Sequence, residues 1–346
     1  MHEGGLSAMS GIVLIAGAAV ISGLICRYAR PIGERLAILD EPDGSRKIHP
    51  EPTPLIGGLA IGLPTLLALA YAAVATVFLP LYLTIAVAGL GCLLLGLLDD
   101  RAHIRPTYRL VLSLILALAV LEVVPALSVT FLRFTFIDEV QFLGGFSLLF
   151  TAVCIVGLQN AVNMADGKNG VVMGLCLFWT LEMLLFAPGH LRAVLLVLAA
   201  ALVVALAFNL RGRLFLGDSG SYSLSFIIAL LAVYIYDVGF AALPADLVAL
   251  WFLIPVVDCL RVMATRAARG HSPFDSDRTH LHHILYQRMP WRRGLVVYLA
   301  LAGAPGLLAS LAPATTPLWA IAALCCYGVI VTLPRRKQQP VGGSLP

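Results

Sequence analysis

Two adjacent aspartates, Asp99 and Asp100, close one of the long apolar runs of the sequence. Acids at the C-terminal end of a helix oppose the helix dipole and repel each other, so this pair needs a cation, either Arg101 or a bound metal ion. Consecutive helical residues point about 100° apart. We therefore expect the two carboxylates to serve different partners rather than to form one chelate, with a simple salt bridge at the membrane interface as the alternative.

The segment 160–170, NAVNMADGKNG, interrupts another apolar run with polar residues and two glycines. Its side chains with oxygen acceptors are Asn160, Asn163, Asp166 and Asn169. Glycine lets a backbone approach a ligand closely, and carboxylate and amide oxygens suit a hard cation such as Mg2+. The segment therefore predicts a cation site, with a plain Asn/Gly turn as the alternative.

The segment 215–221, FLGDSGS, precedes a further apolar run and surrounds Asp218 with small residues. At the N-terminus of a helix such residues leave backbone N–H groups available for a phosphate. The segment is not a P-loop, because no GKS or GKT follows it. An ordinary helix N-cap is the alternative interpretation.

Two basic loops complete the unusual polar segments. The segment 266–283 contains SPF and then DRTHLHH, which places His280, His282 and His283 within four residues, beside several arginines. The three imidazoles cannot share one helical face and no cysteine is near, so a clamp on phosphates fits better than a zinc site. The segment 46–58 carries RKIH and then PTPLIGG, which suits a lip for an anionic ligand. Its alternative is the ordinary positive charge of a cytoplasmic loop.

The composition of the 346-residue chain indicates what must position these motifs. Hydrophobic residues make up 60% and charged residues 12%, whereas a soluble domain carries roughly 25% charged residues. Apolar runs of about 20 residues recur along the chain, which is typical of membrane-spanning helices. The composition excludes a soluble domain, a disordered chain, a collagen and a coiled coil. The seven cysteines lack metal-ligand spacing, and the net charge of +4 gives no reason to expect a nucleic-acid partner.

We predict an all-α polytopic membrane protein with one integral membrane domain over residues 1–337 and a disordered cytoplasmic tail over 338–346. Its eleven predicted spans are 6–26, 57–78, 81–98, 108–125, 146–162, 171–187, 192–208, 221–237, 246–264, 293–310 and 317–333. Of the 23 Lys and Arg residues, 21 lie in alternate connections, and only Arg133 and Arg192 lie on the other side. The positive-inside rule then puts the N-terminus outside and the C-terminus in the cytoplasm. The alternating segment 128–136 predicts a short periplasmic β-hairpin.

A transporter or channel is the competing class, because it also carries ionisable residues inside a helix bundle. Its acids and bases would lie at mid-span along a pathway, whereas here only a few do, among them Glu122, Glu182 and Asp258. The others cluster at the predicted cytoplasmic face, where groups that hold Mg2+ meet groups that hold phosphates. This arrangement favours phosphoryl transfer from a soluble donor to a lipid phosphate.

In their order along the chain, the motifs resemble those of the polyprenyl-phosphate N-acetylhexosamine-1-phosphate transferases, glycosyltransferase family 4. The resemblance covers nearly the whole chain and is carried by DEPD at 40–43, RKIH, PLIGG, LLDDR at 97–101, NAVNMADG, FLGDSGS, SPF and DRTHLHH. It is greater to the UDP-GlcNAc branch than to the MurNAc-pentapeptide branch, which usually has a PTPTMGG-like lip where this chain has Leu55. One departure is Asn169, which replaces the second Asp of the DGxDG pattern.

The resemblance implies a multi-pass enzyme of the bacterial inner membrane with a cytoplasmic active site. It implies transfer of a HexNAc-1-phosphate, first of all GlcNAc-1-phosphate, from a UDP-sugar to undecaprenyl phosphate, with release of UMP. The product would be the lipid-linked first sugar of a cell-envelope polysaccharide. Another UDP-HexNAc or UDP-MurNAc-pentapeptide is the alternative donor. Mg2+ is the implied cofactor, with Mn2+ as a substitute, and a homodimer is the implied assembly.

The resemblance also assigns roles to residues. The metal ligands would be Asn163 and Asp218. The catalytic positions would be Asp99, Asp100, His280, His282 and His283. The substrate-binding positions would be Lys47, His49, Arg109, Asn160, Asp166, Asn169, Phe215 and Arg278. Among these, Phe215 would stack on the base and Asn169 would contact uracil, while Asp100 would orient the acceptor phosphate or take its residual proton. A covalent phospho-aspartate intermediate stays open as an alternative.

Overall fold

The computed structural model describes residues 8–42, 51–273 and 278–333, and helices dominate this part of the chain. Its thirteen α-helices are α1 (Ala8–Arg27), α2 (Ala29–Leu36), α3 (Gly57–Ala75), α4 (Leu79–Ala102), α5 (Pro106–Val123), α6 (Ser147–Ala165), α7 (Val171–Phe186), α8 (Gly189–Asn209), α9 (Gly217–Gly239), α10 (Ala245–Ala268), α11 (Leu281–Arg288), α12 (Trp291–Leu311) and α13 (Thr316–Thr332). Short 3-10 turns occupy Pro125–Leu127, Gly144–Phe146 and Pro313–Thr315.

The helices bear out the predicted polytopic membrane protein. Ten of those in the described ranges are long and apolar enough to cross a membrane, namely α1, α3, α4, α5, α6, α8, α9, α10, α12 and α13. The one remaining predicted span, 171–187, corresponds to α7, which is apolar but has only 16 residues. The short α2 and α11 lie between spans and carry more polar sequences.

Two spans extend further into the polar motifs than predicted. The helix α4 continues through Asp99 and Asp100 to Ala102 and ends where His103 adopts a left-handed conformation. The helix α9 begins at Gly217, four residues before the predicted start, so Asp218 lies in its first turn. At the end of α4, the backbone N–H of His103 donates to the carbonyl of Asp99 at 2.9 Å, so the helix stays paired through the two aspartates until this left-handed residue ends it.

Two small antiparallel pairs of strands accompany the helices. The strand β1 (Leu39–Asp40) pairs with β2 (Thr53–Pro54), and β3 (Phe131–Phe134) pairs with β4 (Ile137–Phe142). The second pair is the hairpin predicted near 128–136, with a second strand that extends to Phe142. The hairpin follows the C-terminal end of α5, whereas Asp100 precedes the N-terminal end of α5.

The helix α9 forms the centre of the bundle and is buried along most of its length, against α3, α4, α6 and α7. Glycines permit this close packing. A Cβ on Gly96 would lie 2.3 Å from the Cα of Ser219, and a Cβ on Gly58 would lie 2.3 Å from the nitrogen of Gly220. The N-terminus of α9 is therefore held directly between the backbones of α3 and α4.

A proline inside α10 is compensated by a side chain of α7. Pro255 has no N–H, so the carbonyl of Trp251 one turn earlier lacks its helical donor. The indole N–H of Trp179 donates to that carbonyl at 2.7 Å. This bond joins α7 to α10, which carries Asp258 further along.

Candidate active site

The predicted site residues converge on one cavity of about 790 Å³ at the ends of α4, α6 and α9. Eight of the fifteen predicted residues line it. These are Asp99, Asp100, Arg109, Asn163, Asp166, Asn169, Phe215 and Asp218. Basic residues occupy the last turns of α1, α4 and α10, with Arg27, Arg101 and Arg266. The cavity therefore belongs to the face at which the basic loops were predicted.

Asp99 holds the arginine of the cavity in place. Its buried carboxylate accepts hydrogen bonds from the Arg109 guanidinium and, at 3.1 Å, from the Tyr222 hydroxyl. Its other oxygen accepts from the backbone N–H of Ile104 at 2.7 Å, which fixes the turn after α4. Arg109 also lies 3.7 Å from a carboxylate oxygen of Asp218. Asp99 therefore orients Arg109 toward the first turn of α9.

Asp100 serves a different partner, as the angle between consecutive helical residues predicts. Its two oxygens accept from the backbone N–H groups of Asp218 at 2.8 Å and of Ser219 at 3.0 Å. The prediction that these N–H groups bind a phosphate is therefore wrong for both of them, because Asp100 already caps the helix. The alternative of a local N-cap is also incorrect, since the capping carboxylate comes from α4. Gly217, with φ +76°, makes room for it.

Asn163 and Asp218 are in direct contact where they line the cavity. The Asn163 side-chain nitrogen donates to Asp218 Oδ1 at 2.5 Å and to the Ser221 hydroxyl at 3.0 Å. The contact joins the C-terminal turn of α6 to the first turn of α9, 55 residues later. The two side chains predicted to bind the metal are therefore adjacent in space.

Acidic groups outnumber the basic groups in this part of the cavity. Asp166, just after α6, has a pKa raised to about 7 by burial and by the negative charge of Asp100. In the described ranges, no three His, Cys, Asp or Glu side chains form a metal site by themselves. Mg2+ commonly uses one or two carboxylates and completes its shell with water and substrate phosphates. The carboxylate of Asp218 fits that requirement, and the amide of Asn163 lies in contact with it.

The other end of the cavity carries aromatic and amide groups. Phe215 and Asn169 line it together with Trp291. The indole N–H of Trp291 donates to the backbone carbonyl of Asn169 at 2.9 Å. The Lys168 ammonium lies 3.8 Å from the centre of the Tyr286 ring. Burial and the nearby charge of Arg278 lower the pKa of Lys168. This region combines a planar surface with hydrogen-bonding groups, which are the elements that recognise a nucleobase.

The three predicted histidines do not line the cavity. His280 is buried, and its Nδ1 lies 2.9 Å from the carboxylate of Asp258, which also accepts from Arg261 and Tyr327. His282 is buried directly behind Gly167, because a Cβ on that glycine would lie 2.2 Å from its Nε2.

Within the described structure both ring nitrogens of His282 lack a hydrogen-bond partner, and burial together with the charges of His283 and His280 lowers its pKa well below 6.5. The rings of His282 and His283 lie with their centres 4.2 Å apart. Through its contact with Gly167, His282 supports the cavity wall.

Two further predicted residues that the structure describes, Asn160 and Arg278, are not in the cavity lining. Asn160 donates its amide back to the carbonyl of Val156 in its own helix at 2.8 Å, so its assignment to substrate is not supported. Arg278 is exposed and lies outside the lining. Lys47 and His49 lie outside the described residues.

The sequence reasoning missed Tyr222, Trp291 and Asn209. Asn209 accepts from the N–H of Gly170 at 2.7 Å and donates to the carbonyl of Leu214 at 3.0 Å, which joins two of the motif loops. The sequence feature that could have identified Asn209 is a single amide side chain at the end of an apolar run. Tyr222 lies one helical turn after Asp218, a spacing that places both on one helix face. Trp291 at the start of α12 offered no signal of its own.

Comparisons with known proteins complete the description of the site. The model of glycosyl transferase family 4 matches residues 82–236, which include the eight predicted residues of the cavity. The undecaprenyl-phosphate alpha-N-acetylglucosaminyl 1-phosphate transferase of Yersinia pestis is 30% identical over 286 residues, covering 80% of this chain and 77% of that protein.

Two further relatives match to a similar extent. The protein of that name from Escherichia coli K12 is 29% identical over 300 residues, covering 82% of this chain and 78% of the relative. The decaprenyl-phosphate N-acetylglucosaminephosphotransferase of Mycolicibacterium smegmatis is 29% identical over 314 residues, covering 82% and 77%. The similarity therefore extends well beyond the cavity.

Proposed function

We propose a function from the premise that this chain belongs to glycosyl transferase family 4 and is a membrane-embedded phosphoglycosyltransferase. The proposed reaction transfers GlcNAc-1-phosphate from UDP-GlcNAc to undecaprenyl phosphate. An oxygen of the lipid phosphate attacks the β-phosphorus, the bond between that phosphorus and the UMP oxygen breaks, and UMP leaves. The names of the relatives support both the acceptor and the transferred sugar.

The observation that carries the proposal is the meeting of Asn163, Asp218 and Arg109 in one cavity at the ends of membrane helices. A phosphoryl transfer needs little covalent chemistry from the protein, and depends on positioning and on stabilisation of charge. Mg2+ held by Asn163 and Asp218 would neutralise charge on the pyrophosphate. Arg109, oriented by Asp99, would bind a phosphate oxygen on the other side of Asp218.

The chain's other residues have positioning roles in this proposal. Phe215 and Asn169 would bind the uracil, the first by stacking and the second through its amide. A phosphate monoester has its second pKa near 6 and is mostly dianionic at neutral pH, so the acceptor needs no strong base. Asp100 would then act by holding the first turn of α9, and with it Asp218, in place.

The proposal includes a location. The cavity would face the cytoplasm of a bacterium, from the inner membrane, because the basic helix ends surround it and basic residues favour the cytoplasmic side. A UDP-sugar is made in the cytoplasm, and the acceptor tail stays in the bilayer, so a site at this boundary serves both. A homodimer stays a prediction.

The experiment is a transfer assay with purified protein, Mg2+, undecaprenyl phosphate and a panel of radiolabelled UDP-sugars, scored as label in the organic phase. We expect label from UDP-GlcNAc that requires undecaprenyl phosphate and disappears with EDTA. Label from another UDP-HexNAc alone would overturn the donor, and no label from any donor would overturn the function. UMP release without lipid phosphate would instead indicate a covalent phospho-enzyme.

A further inference from the structure

A second cavity, of about 670 Å³, lies on the same face as the active site, where α1 and α8 end. Three arginines line its polar side, namely Arg27, Arg30 and Arg213. Gly23, Cys26 and Phe208 line its apolar side. The cavity therefore joins a cationic rim to the surface of two membrane helices.

Within the described residues, the acids near this rim do not balance its charge. Arg30 is paired with Glu34 at 3.2 Å and with Glu51 at 3.4 Å, and Glu51 is the only acid among the described residues of the lining. Within the described part of the chain, Arg27 and Arg213 form no ion pair, and Arg213 lies 5.9 Å from the centre of the Phe208 ring. Two guanidinium groups with free donors favour a phosphate, whose oxygens match their planar geometry.

The apolar side of the cavity points to the source of that phosphate. In the two helical turns of α1 that precede Arg27, the side chains of Leu24 and Val20 are exposed, at 51% and 60%. These side chains face lipid in a membrane-spanning helix. We propose that the second cavity binds a phosphate anion, supplied by the headgroup of an anionic phospholipid whose chains lie along α1.

A ligand in this cavity would touch the segments that hold the active site. Pro54 and Arg213 line the second cavity, whereas their neighbours Leu55 and Phe215 line the catalytic one. The two segments are joined because the Phe215 N–H donates to the Pro54 carbonyl at 2.9 Å. The Phe215 carbonyl in turn accepts from the Gly57 N–H at 2.9 Å, which links Phe215 to the start of α3.

Occupation of the second cavity should therefore restrict the position of Phe215 and lower the KM for the UDP-sugar. This consequence rests on the proposed function, whereas the binding itself does not.

The test measures binding directly. Full-length protein is reconstituted in nanodiscs that contain equal amounts of phosphatidylglycerol and phosphatidylcholine, and native mass spectrometry counts the lipid that stays bound. The variant R27Q/R213Q removes the two unpaired charges. The control R35Q/R211Q removes two exposed arginines of the same face that lie outside the cavity. A second arm adds inorganic phosphate to nanodiscs of phosphatidylcholine alone and measures the shift of Tm.

We expect wild type and R35Q/R211Q to retain phosphatidylglycerol in preference to phosphatidylcholine, and R27Q/R213Q to lose that preference by about tenfold. A Tm increase with inorganic phosphate that requires Arg27 and Arg213, without any preference for phosphatidylglycerol, would assign free phosphate as the ligand and overturn the lipid source. Equal retention of both lipids by the wild type, with no effect of phosphate, would overturn the proposal. So would an equal loss in the two double variants. Each outcome is independent of transferase activity.

Discussion

At the scale of single residues, Asp218 joins the predicted metal position to the arginine of the cavity. It lies against Asn163 on one side and Arg109 on the other. Asp218→Asn keeps the size of the side chain and removes its charge, so we expect the activity to fall by at least about 100-fold with the fold retained. The measurement is single-turnover transfer from radiolabelled UDP-GlcNAc, with Mn2+ binding followed by electron paramagnetic resonance.

A matched control lies on the same helix. Asp237 is near the opposite end of α9 and is remote from the cavity, so Asp237→Asn should leave both transfer and Mn2+ binding as in the wild type. Full activity of Asp218→Asn would contradict its assignment to the metal. Normal Mn2+ binding without transfer would instead restrict its role to the substrate.

His282 supports a prediction about pH and stability. Burial lowers its pKa in the folded protein well below the value near 6.5 that it has in the unfolded chain. Below about pH 6.5 the unfolded chain takes up a proton that the folded imidazole does not, so the free energy of unfolding falls by up to about 1.4 kcal/mol per pH unit. His282→Gln should therefore show a smaller loss of Tm between about pH 8 and pH 5 than the wild type.

The control for this prediction is His271→Gln, which changes an exposed histidine near the end of α10. It should lose Tm with falling pH as the wild type does. Identical pH slopes in the wild type and His282→Gln would show that the buried imidazole does not hold a depressed pKa.

At the scale of elements, the close contact between α4 and α9 decides whether Asp100 can reach its partners. A Cβ on Gly96 would lie 2.3 Å from the Cα of Ser219 and 2.4 Å from the Asp218 carbonyl. Gly96→Ala must therefore push the first turn of α9 away from Asp100. We expect a cost of about 1–3 kcal/mol in stability and a larger relative loss of transfer activity.

Gly157→Ala is the matched control, because a Cβ at this position of α6 would meet nothing within 4 Å. Alanine is a better helix former than glycine, so this variant should be as stable as the wild type or slightly more stable. Thermal denaturation and transfer assays of both variants give the comparison. An active and stable Gly96→Ala would show that the two helices can separate without consequence for the site.

The elements also show what the sequence could predict. Apolar length identifies the spans and the acidic and amide motifs identify most of the cavity, because both signals are local. The cap of α9 by Asp100 joins residues 118 positions apart, and no local pattern contains it. The same limit applies to His282, whose packing behind Gly167 depends on how α11 returns to the loop after α6.

At the scale of the whole molecule, the asymmetry of charge predicts an orientation in the membrane. The ends of α1, α4 and α10 next to the cavity are basic, whereas the hairpin of β3 and β4 at the opposite face contains Asp138 and Glu139 with Arg133. Arg133 is engaged with the carbonyls of Phe240 and Ala241 at 3.1 and 3.2 Å, so it anchors the hairpin to the end of α9. By the positive-inside rule, this arrangement predicts that the cavity faces the inside of the cell and the hairpin the outside.

Labelling of single cysteines tests this orientation in intact cells. The native exposed cysteines Cys154, Cys325 and Cys326 are first replaced by alanine, because they would add background. Glu139→Cys lies in the exposed strand β4 and should react with a membrane-impermeant maleimide added from outside. Arg211→Cys, in the exposed turn after α8, should react only after the inner membrane is permeabilised, since a charged reagent does not cross the bilayer. The reverse pattern would place the cavity outside the cell, where the donor nucleotide is absent, and would contradict the proposed reaction together with the orientation.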